Sequence, residues 1–218
     1  MPALVVPTEG CDLERLGVVG SYSTPTTFVS HAGLANSSVA ITSPGLEIAV
    51  IECGATPGLV VDCSGRMPAH VAGSCSLSRD EADQIATWIE DVRTRSPGLV
   101  YAALPAVGER IDDTTGRVIA RTFSCAGFVH AAYEEGAGIV LLVPENALPE
   151  VERETVITTW APGVPEHLVN RYLEKVGLTG TGPWRLLLPG YLFHALRQRV
   201  SSAGAAYQPT SEDASFSG

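Results

Sequence analysis

Apolar positions along this chain follow two kinds of pattern, and the change falls near residue 78. Before it, apolar residues come in short runs broken by turn residues. Thr26 to Asn36, with Phe28, Val29, Ala32 and Leu34, predicts a strand, and Ser37–Ile41 its continuation or a second short strand. Ser43-Pro44-Gly45 is a turn signal, and the β-branched run Leu46–Cys53 predicts a buried strand paired with the first through that turn. Shorter extended pieces are expected at Ala3–Val6, Gly17–Gly20 and Leu59–Asp62.

From Ser78 the spacing becomes helical. Ser78 with Glu81 three residues later is a capping box, and Ile85, Trp88, Ile89 and Val92 share one face up to Arg95. Ser96-Pro97-Gly98 is the stop. Leu99–Leu104 and Val118–Phe123 read as strands or extended segments around a polar turn at Asp112–Gly116. Phe123 to about Gly136 predicts a second helix, with Phe128, Val129, Ala132 and Tyr133 on one face. Pro165–Val176 and Tyr191–Val200 are further helical patterns.

These elements predict an α+β fold: a small, mainly antiparallel β-sheet packed against the helices beginning near Ser78 and Phe123, with C-terminal helices covering one side. One domain over residues 1–200 is expected, its core at about 24–150 and a helical cover at 151–200. Residues 201–218, rich in Ser, Ala and Gly, are expected to be a mobile tail.

Composition agrees with a folded domain, with 45% hydrophobic and 17% charged residues. A formal net charge of -10 argues against nucleic acid or an anionic membrane surface as the main partner. Lys175 is the single lysine, which reads as coding bias. The longest apolar run, around Gly138 to Val143, is too short to span a bilayer. The first eleven residues lack a basic region followed by an apolar core, so a cytoplasmic location with reduced thiols is expected. The five cysteines (11, 53, 63, 75 and 125) contain no Cys-x-x-Cys pair, which argues against a zinc ribbon. A bridge among Cys53, Cys63 and Cys75 is left for an exported protein. No metal or organic cofactor is expected.

The candidate chemistry starts at Phe123-Ser124-Cys125-Ala126-Gly127-Phe128-Val129. Cys125 falls on the first turn of the predicted helix, where unpaired N–H groups and the helix dipole favour a thiolate. Ala126 and Gly127 leave room for a substrate. Of the five histidines, His130 lies on the same helix but on another face. His167 and His194 sit in helical patterns, and His70 follows Pro68 in a Gly/Ser-rich stretch. His31 differs, because it lies in a strand with small residues just after it. The next strand carries a lone carboxylate, Glu52, which is costly to bury without a partner. Cys125, His31 and Glu52 therefore form a coherent nucleophile, base and orienting group. The plain alternatives stand beside this: a buried core cysteine, and an imidazole and a carboxylate facing water.

The segment from Phe123 through Ala132-Tyr133 to Gly138-Ile139 and Leu142 resembles the nucleophile helix of the NlpC family of papain-like cysteine peptidases. Ser124 stands where that family usually has Asp, and Ala126 where it has Ser. Ser30-His31-Ala32-Gly33-Leu34 is similar to its histidine strand, and Val50-Ile51-Glu52-Cys53-Gly54 to the following strand with the third polar residue. The histidine precedes the cysteine, as in the circularly permuted branch that holds lecithin:retinol acyltransferase-like proteins and bacterial permuted amidases. The resemblance covers roughly residues 24 to 150. It implies a papain-like fold and a thiol hydrolase cleaving an amide or peptide bond through an acyl-thioester on Cys125. His31 is then the base and Glu52 its orienting residue, with no cofactor and a peptide or amide substrate such as a cell-wall peptide. A thiol acyltransferase and a non-catalytic binding module on the same fold are the alternatives. Asp62-Cys63-Ser64-Gly65 matches the family's short cysteine motif by letter, but Arg66-Met67-Pro68 and Gly73 deny it an apolar helical face.

Overall fold

The computed structural model describes residues 6–7, 11–22, 28–54, 60–95, 98–161, 163–199 and 205–214. Expectations for residues 3–5, 26–27, 59 and 96–97 and for parts of the tail lie outside them. The fold is mixed α+β, with antiparallel sheets packed against helices. In chain order the elements are β1 (Val6–Pro7), β2 (Cys11–Leu13), β3 (Val18–Tyr22), β4 (Val29–Ala35), β5 (Val39–Ile41), β6 (Leu46–Cys53), β7 (Val61–Ala69) and β8 (Val71–Gly73). Next come α1 (Arg79–Arg95), β9 (Leu99–Tyr101), β10 (Val107–Ile111), β11 (Val118–Phe123), α2 (Cys125–Ala137), β12 (Glu150–Val151), α3 (Arg153–Trp160), α4 (Glu166–Lys175), β13 (Trp184–Arg185) and α5 (Pro189–Arg199).

The main sheet has the order β1-β8-β3-β4-β6-β7, and every pairing in it is antiparallel. Its central strands are apolar on both faces. Val18, Leu34, Ile51 and Val71 enter the core shared with the helices. Their chain neighbours Val19, Ala35, Val50 and Ala72 enter a smaller core on the other face, with Leu13 and Ile41 of the β2–β5 ribbon. Successive side chains of a strand point to opposite faces, so a sheet covered on both sides reads as continuous apolar runs. β9, β10 and β11 form a second sheet, in which β9 runs parallel to β11.

The helices form where their local signals lie. Ser78 and Glu81 make the reciprocal capping box at α1, with Ser78 N–H donating to Glu81 at 2.7 Å and Glu81 N–H to Ser78 Oγ at 3.3 Å. α2 is buried from Cys125 to Tyr133, packs on α1, β4 and β6, and ends at Gly138 with φ 68°. Tyr133 fixes it to the sheet by donating to the Leu16 carbonyl at 2.7 Å. α5 lies across β3, where a Cβ at Gly20 would stand 2.7 Å from Phe193.

Several expectations are corrected. The segment expected to be a short strand at 59–62 is the nine-residue β7, and β8, β10 and α3 are additional elements. β7 lies at the end of the sheet order, where Pro68 removes no needed ladder donor. Residues 205–214, expected within a mobile tail, are built into the body: Tyr207 N–H donates to Leu141 O at 2.9 Å, and Val143 N–H to Tyr207 O at 3.0 Å. No disulfide joins Cys53, Cys63 and Cys75 to one another. Among the described residues no helix is long and apolar enough to cross a membrane.

Candidate active site

Ser124 builds the tip of α2. It sits in extended conformation, its Oγ accepts from Gly127 N–H at 2.9 Å, and its own N–H donates to Ala106 O at 2.9 Å. This cap fixes Cys125 as the first helical residue. The position of Ala106 is itself held, because its N–H donates to the Glu145 carboxylate at 3.0 Å. A Cβ at Gly127 would lie 1.8 Å from the Ala106 oxygen, so the loop and the helix can meet this closely only over glycine.

The sheet brings the other two residues. β4 and β6 pair with Gly33 opposite Glu52, and His31 lies two residues along β4 on the same strand face as Gly33. Glu52 is flanked by glycines on both neighbouring strands: an added Cβ would stand 3.5 Å from its Cβ at Gly33 and 2.5 Å from its Oε1 at Gly65. These clearances let the carboxylate reach His31 Nε2, at 2.6 Å. Both side chains are mostly withdrawn from solvent, at 29% and 23% exposure, so the pair is weakly screened.

The Cys125 sulfur interacts with the His31 ring, whose Nε2 is held by Glu52 and whose other nitrogen is Nδ1. Burial alone would push the thiol pKa up. The His31 charge, the ring hydrogen bond and the backbone N–H groups of Ala32 and Ala126 outweigh it and hold the pKa below its usual value. His31 shows the converse. Burial opposes its charge, but the charge and hydrogen bond of Cys125, together with those of Glu52, push its pKa up to about 10. Both shifts favour the form of the pair in which the sulfur is a thiolate and the ring an imidazolium.

Tyr101, at the end of β9, is a further member. Its pKa is raised by burial and by the charge of the neighbouring Cys125 sulfur. A tyrosine in an otherwise apolar strand needs a partner for its hydroxyl, and that was the available sequence signal. A cleft of about 260 Å³ opens beside His31, lined also by Ser30, Tyr101, Trp160, Tyr172 and Lys175.

The remaining candidates lie elsewhere. His130 is buried on α2 and pairs with Glu134 at 3.1 Å. His70 stacks on Tyr22 and accepts from its N–H at 3.2 Å; His167 is exposed; His194 lies 3.6 Å from Asp213. Cys63 sits inside β7, not at a helix start. Among the described residues no group of three or more His, Cys, Asp or Glu side chains could hold a metal ion. Compared with family models, with curated proteins and with solved structures, the chain matches none.

Proposed function

We propose that this protein is a cysteine-dependent acyl hydrolase that cleaves an amide or peptide bond, on a permuted papain-like framework related to the NlpC peptidases. The observation that carries the proposal is the placement of the His31 ring between a carboxylate at 2.6 Å and a thiol at the tip of a buried helix. The Cys125 thiolate attacks the substrate carbonyl. The C–S bond forms as the carbonyl oxygen takes up negative charge, and the Cys125 N–H at the start of α2 is a donor for it. The tetrahedral adduct collapses by expelling the amine, which takes the proton from His31 Nδ1. An acyl-thioester remains. Water, giving its proton back to His31, releases the acid and restores the thiol site. Glu52 holds the ring with Nδ1 towards sulfur and stabilises the imidazolium.

A binding module on the same fold has no use for this arrangement, since a withdrawn charged pair costs free energy that apolar packing does not. The test is the rate of Cys125 alkylation by iodoacetamide against pH, read by mass spectrometry at that site. An acyl hydrolase gives a rate that rises well below the ordinary thiol titration near about 8.5. The label at this site disappears in Cys125→Ala. A titration at the ordinary value would overturn the reading.

A further inference from the structure

We propose that the cleft beside His31 selects acyl compounds in which a carboxylate stands next to an apolar group, and that Lys175 reads that charge. The inference names a substrate class for the acyl-transfer reading and rests on it.

The walls of the cleft come from two distant parts of the chain. Tyr101 and His31 belong to the sheets around the sulfur, while Trp160, Tyr172 and Lys175 come from the ends of α3 and α4. These parts are tied together. The Tyr172 hydroxyl donates to the Trp160 carbonyl at 2.9 Å, and the Ala103 N–H, two residues past Tyr101, donates to the carbonyl of Val176 at 2.7 Å. The last turn of α4, with Lys175 on it, is thus held against the strand that carries Tyr101. Tyr101, Trp160 and Tyr172 give the cleft an apolar surface on which a hydrocarbon or ring substituent can lie.

Its charge departs from that of the whole molecule. The chain carries a formal net charge of -10, yet no Asp or Glu lines the cleft. The charged side chains that line it are the His31 imidazolium and Lys175. Glu52, behind His31, is committed to Nε2. Among the described residues Lys175 makes no ion pair, and it is the single lysine of the chain. An anionic ligand is repelled by most of this protein's surface and accepted here, so the charge gives selection as well as attraction.

Two thiol-directed probes that differ in one group test this: N-bromoacetyl-phenylalanine, with a free carboxylate, and its carboxamide. In each the thiolate forms a C–S bond and expels bromide, so the ratio of the two rates at Cys125 reports charge recognition independently of absolute reactivity. At low salt Lys175→Gln lowers the acid-to-amide ratio by about two- to fivefold, the range for an exposed ion pair. Lys175→Arg keeps the ratio, and 0.5 M salt, a concentration chosen for the test, shrinks it in the wild type only down to the Lys175→Gln value. The ratio left in Lys175→Gln belongs to the remaining charges of the site, those of His31, Cys125 and Glu52. A ratio that Lys175→Gln does not move overturns the proposal. If both probes react only as ordinary thiol reagents do, the acyl-transfer reading fails, while the ratio still decides charge selection.

Discussion

The chain contains two Cys-x-Gly tripeptides, Cys63-Ser64-Gly65 and Cys125-Ala126-Gly127, and they meet opposite fates. Each is preceded by a capping side chain that closes a local hydrogen bond. Asp62 Oδ1 accepts from Ser64 N–H at 2.7 Å, and Ser124 Oγ accepts from Gly127 N–H at 2.9 Å. The residues C-terminal to each tripeptide decide the outcome. After Cys125 the residues through Tyr133 are buried and, His130 apart, apolar, so they bury a helix. After Cys63 burial alternates along β7, and the segment pairs with β6. The thiols then diverge: burial pushes the Cys63 pKa up despite Arg93, whereas the imidazolium and backbone donors around Cys125 hold its pKa down. A thiol's chemistry is set by the element that carries it and by the charges that element meets.

The glycines of the two tripeptides sharpen the comparison, and the larger effect belongs to Gly127. An alanine there places a methyl 1.8 Å from the Ala106 oxygen and 2.5 Å from its carbonyl carbon. Both are backbone atoms, and Glu145 holds the same residue from its other side. The helix tip or the loop must shift. Gly127→Ala is expected to destabilise the fold by about 1–3 kcal/mol, the range for overpacking a tight contact. It also returns the Cys125 titration towards an ordinary thiol, as thermal unfolding and the alkylation profile will register. Wild-type values in both measurements would mean that the close approach at Ala106 has no role in forming the nucleophile.

The legible parts of this molecule are those whose signals are local. The capping box gave α1, the apolar spacing gave α2 and placed Cys125 on its first turn, and the runs on either side of Ser43-Pro44-Gly45 gave the paired strands of His31 and Glu52, although β5 lies between them and pairs with β2. Gly65 and Pro68, both poor strand formers, hide the continuation to Ala69 of the strand expected at 59–62; an edge position tolerates them. α3 has too few apolar positions for a period to show, with Val156, Ile157 and Trp160 over eight residues. Tyr101, Trp160, Tyr172 and Lys175 converge only through the packing of α4 against the β9 end. No spacing along the chain contains that contact, and Lys175 alone reads as an accident of composition.

Glu52→Gln tests the intermediate effect. It keeps the size of the side chain and removes its charge. The carboxylate raises the His31 pKa, so its loss lowers that pKa and, for the proposed hydrolysis, moves the alkaline fall of turnover down from about 10. A less stable imidazolium also supports the thiolate less, so the acid limb moves up and the active window narrows from both sides. A hydrogen bond to a charged group contributes about 1.5–3 kcal/mol, which corresponds to roughly one to two pH units on the alkaline limb. Turnover and alkylation profiles with unmoved limbs would separate Glu52 from the chemistry.

The smallest effect is expected at the glycine of the other tripeptide. A methyl at residue 65 stands 2.5 Å from Glu52 Oε1 and 2.9 Å from its carboxyl carbon, which are side-chain atoms free to rotate away. Gly65→Ala therefore costs little stability, within about 0.5 kcal/mol. The rotation that relieves the clash lengthens the 2.6 Å contact with His31. The alkaline limb then shifts in the same direction as in Glu52→Gln but by a fraction of that amount, while Cys63→Ala, one strand face away, leaves it in place. If Gly65→Ala unfolds the protein but leaves the limb unmoved in the folded fraction, this glycine serves β7 alone. A small downward shift at wild-type stability would instead place the motif without a helix in service of the site, through the room it gives to Glu52.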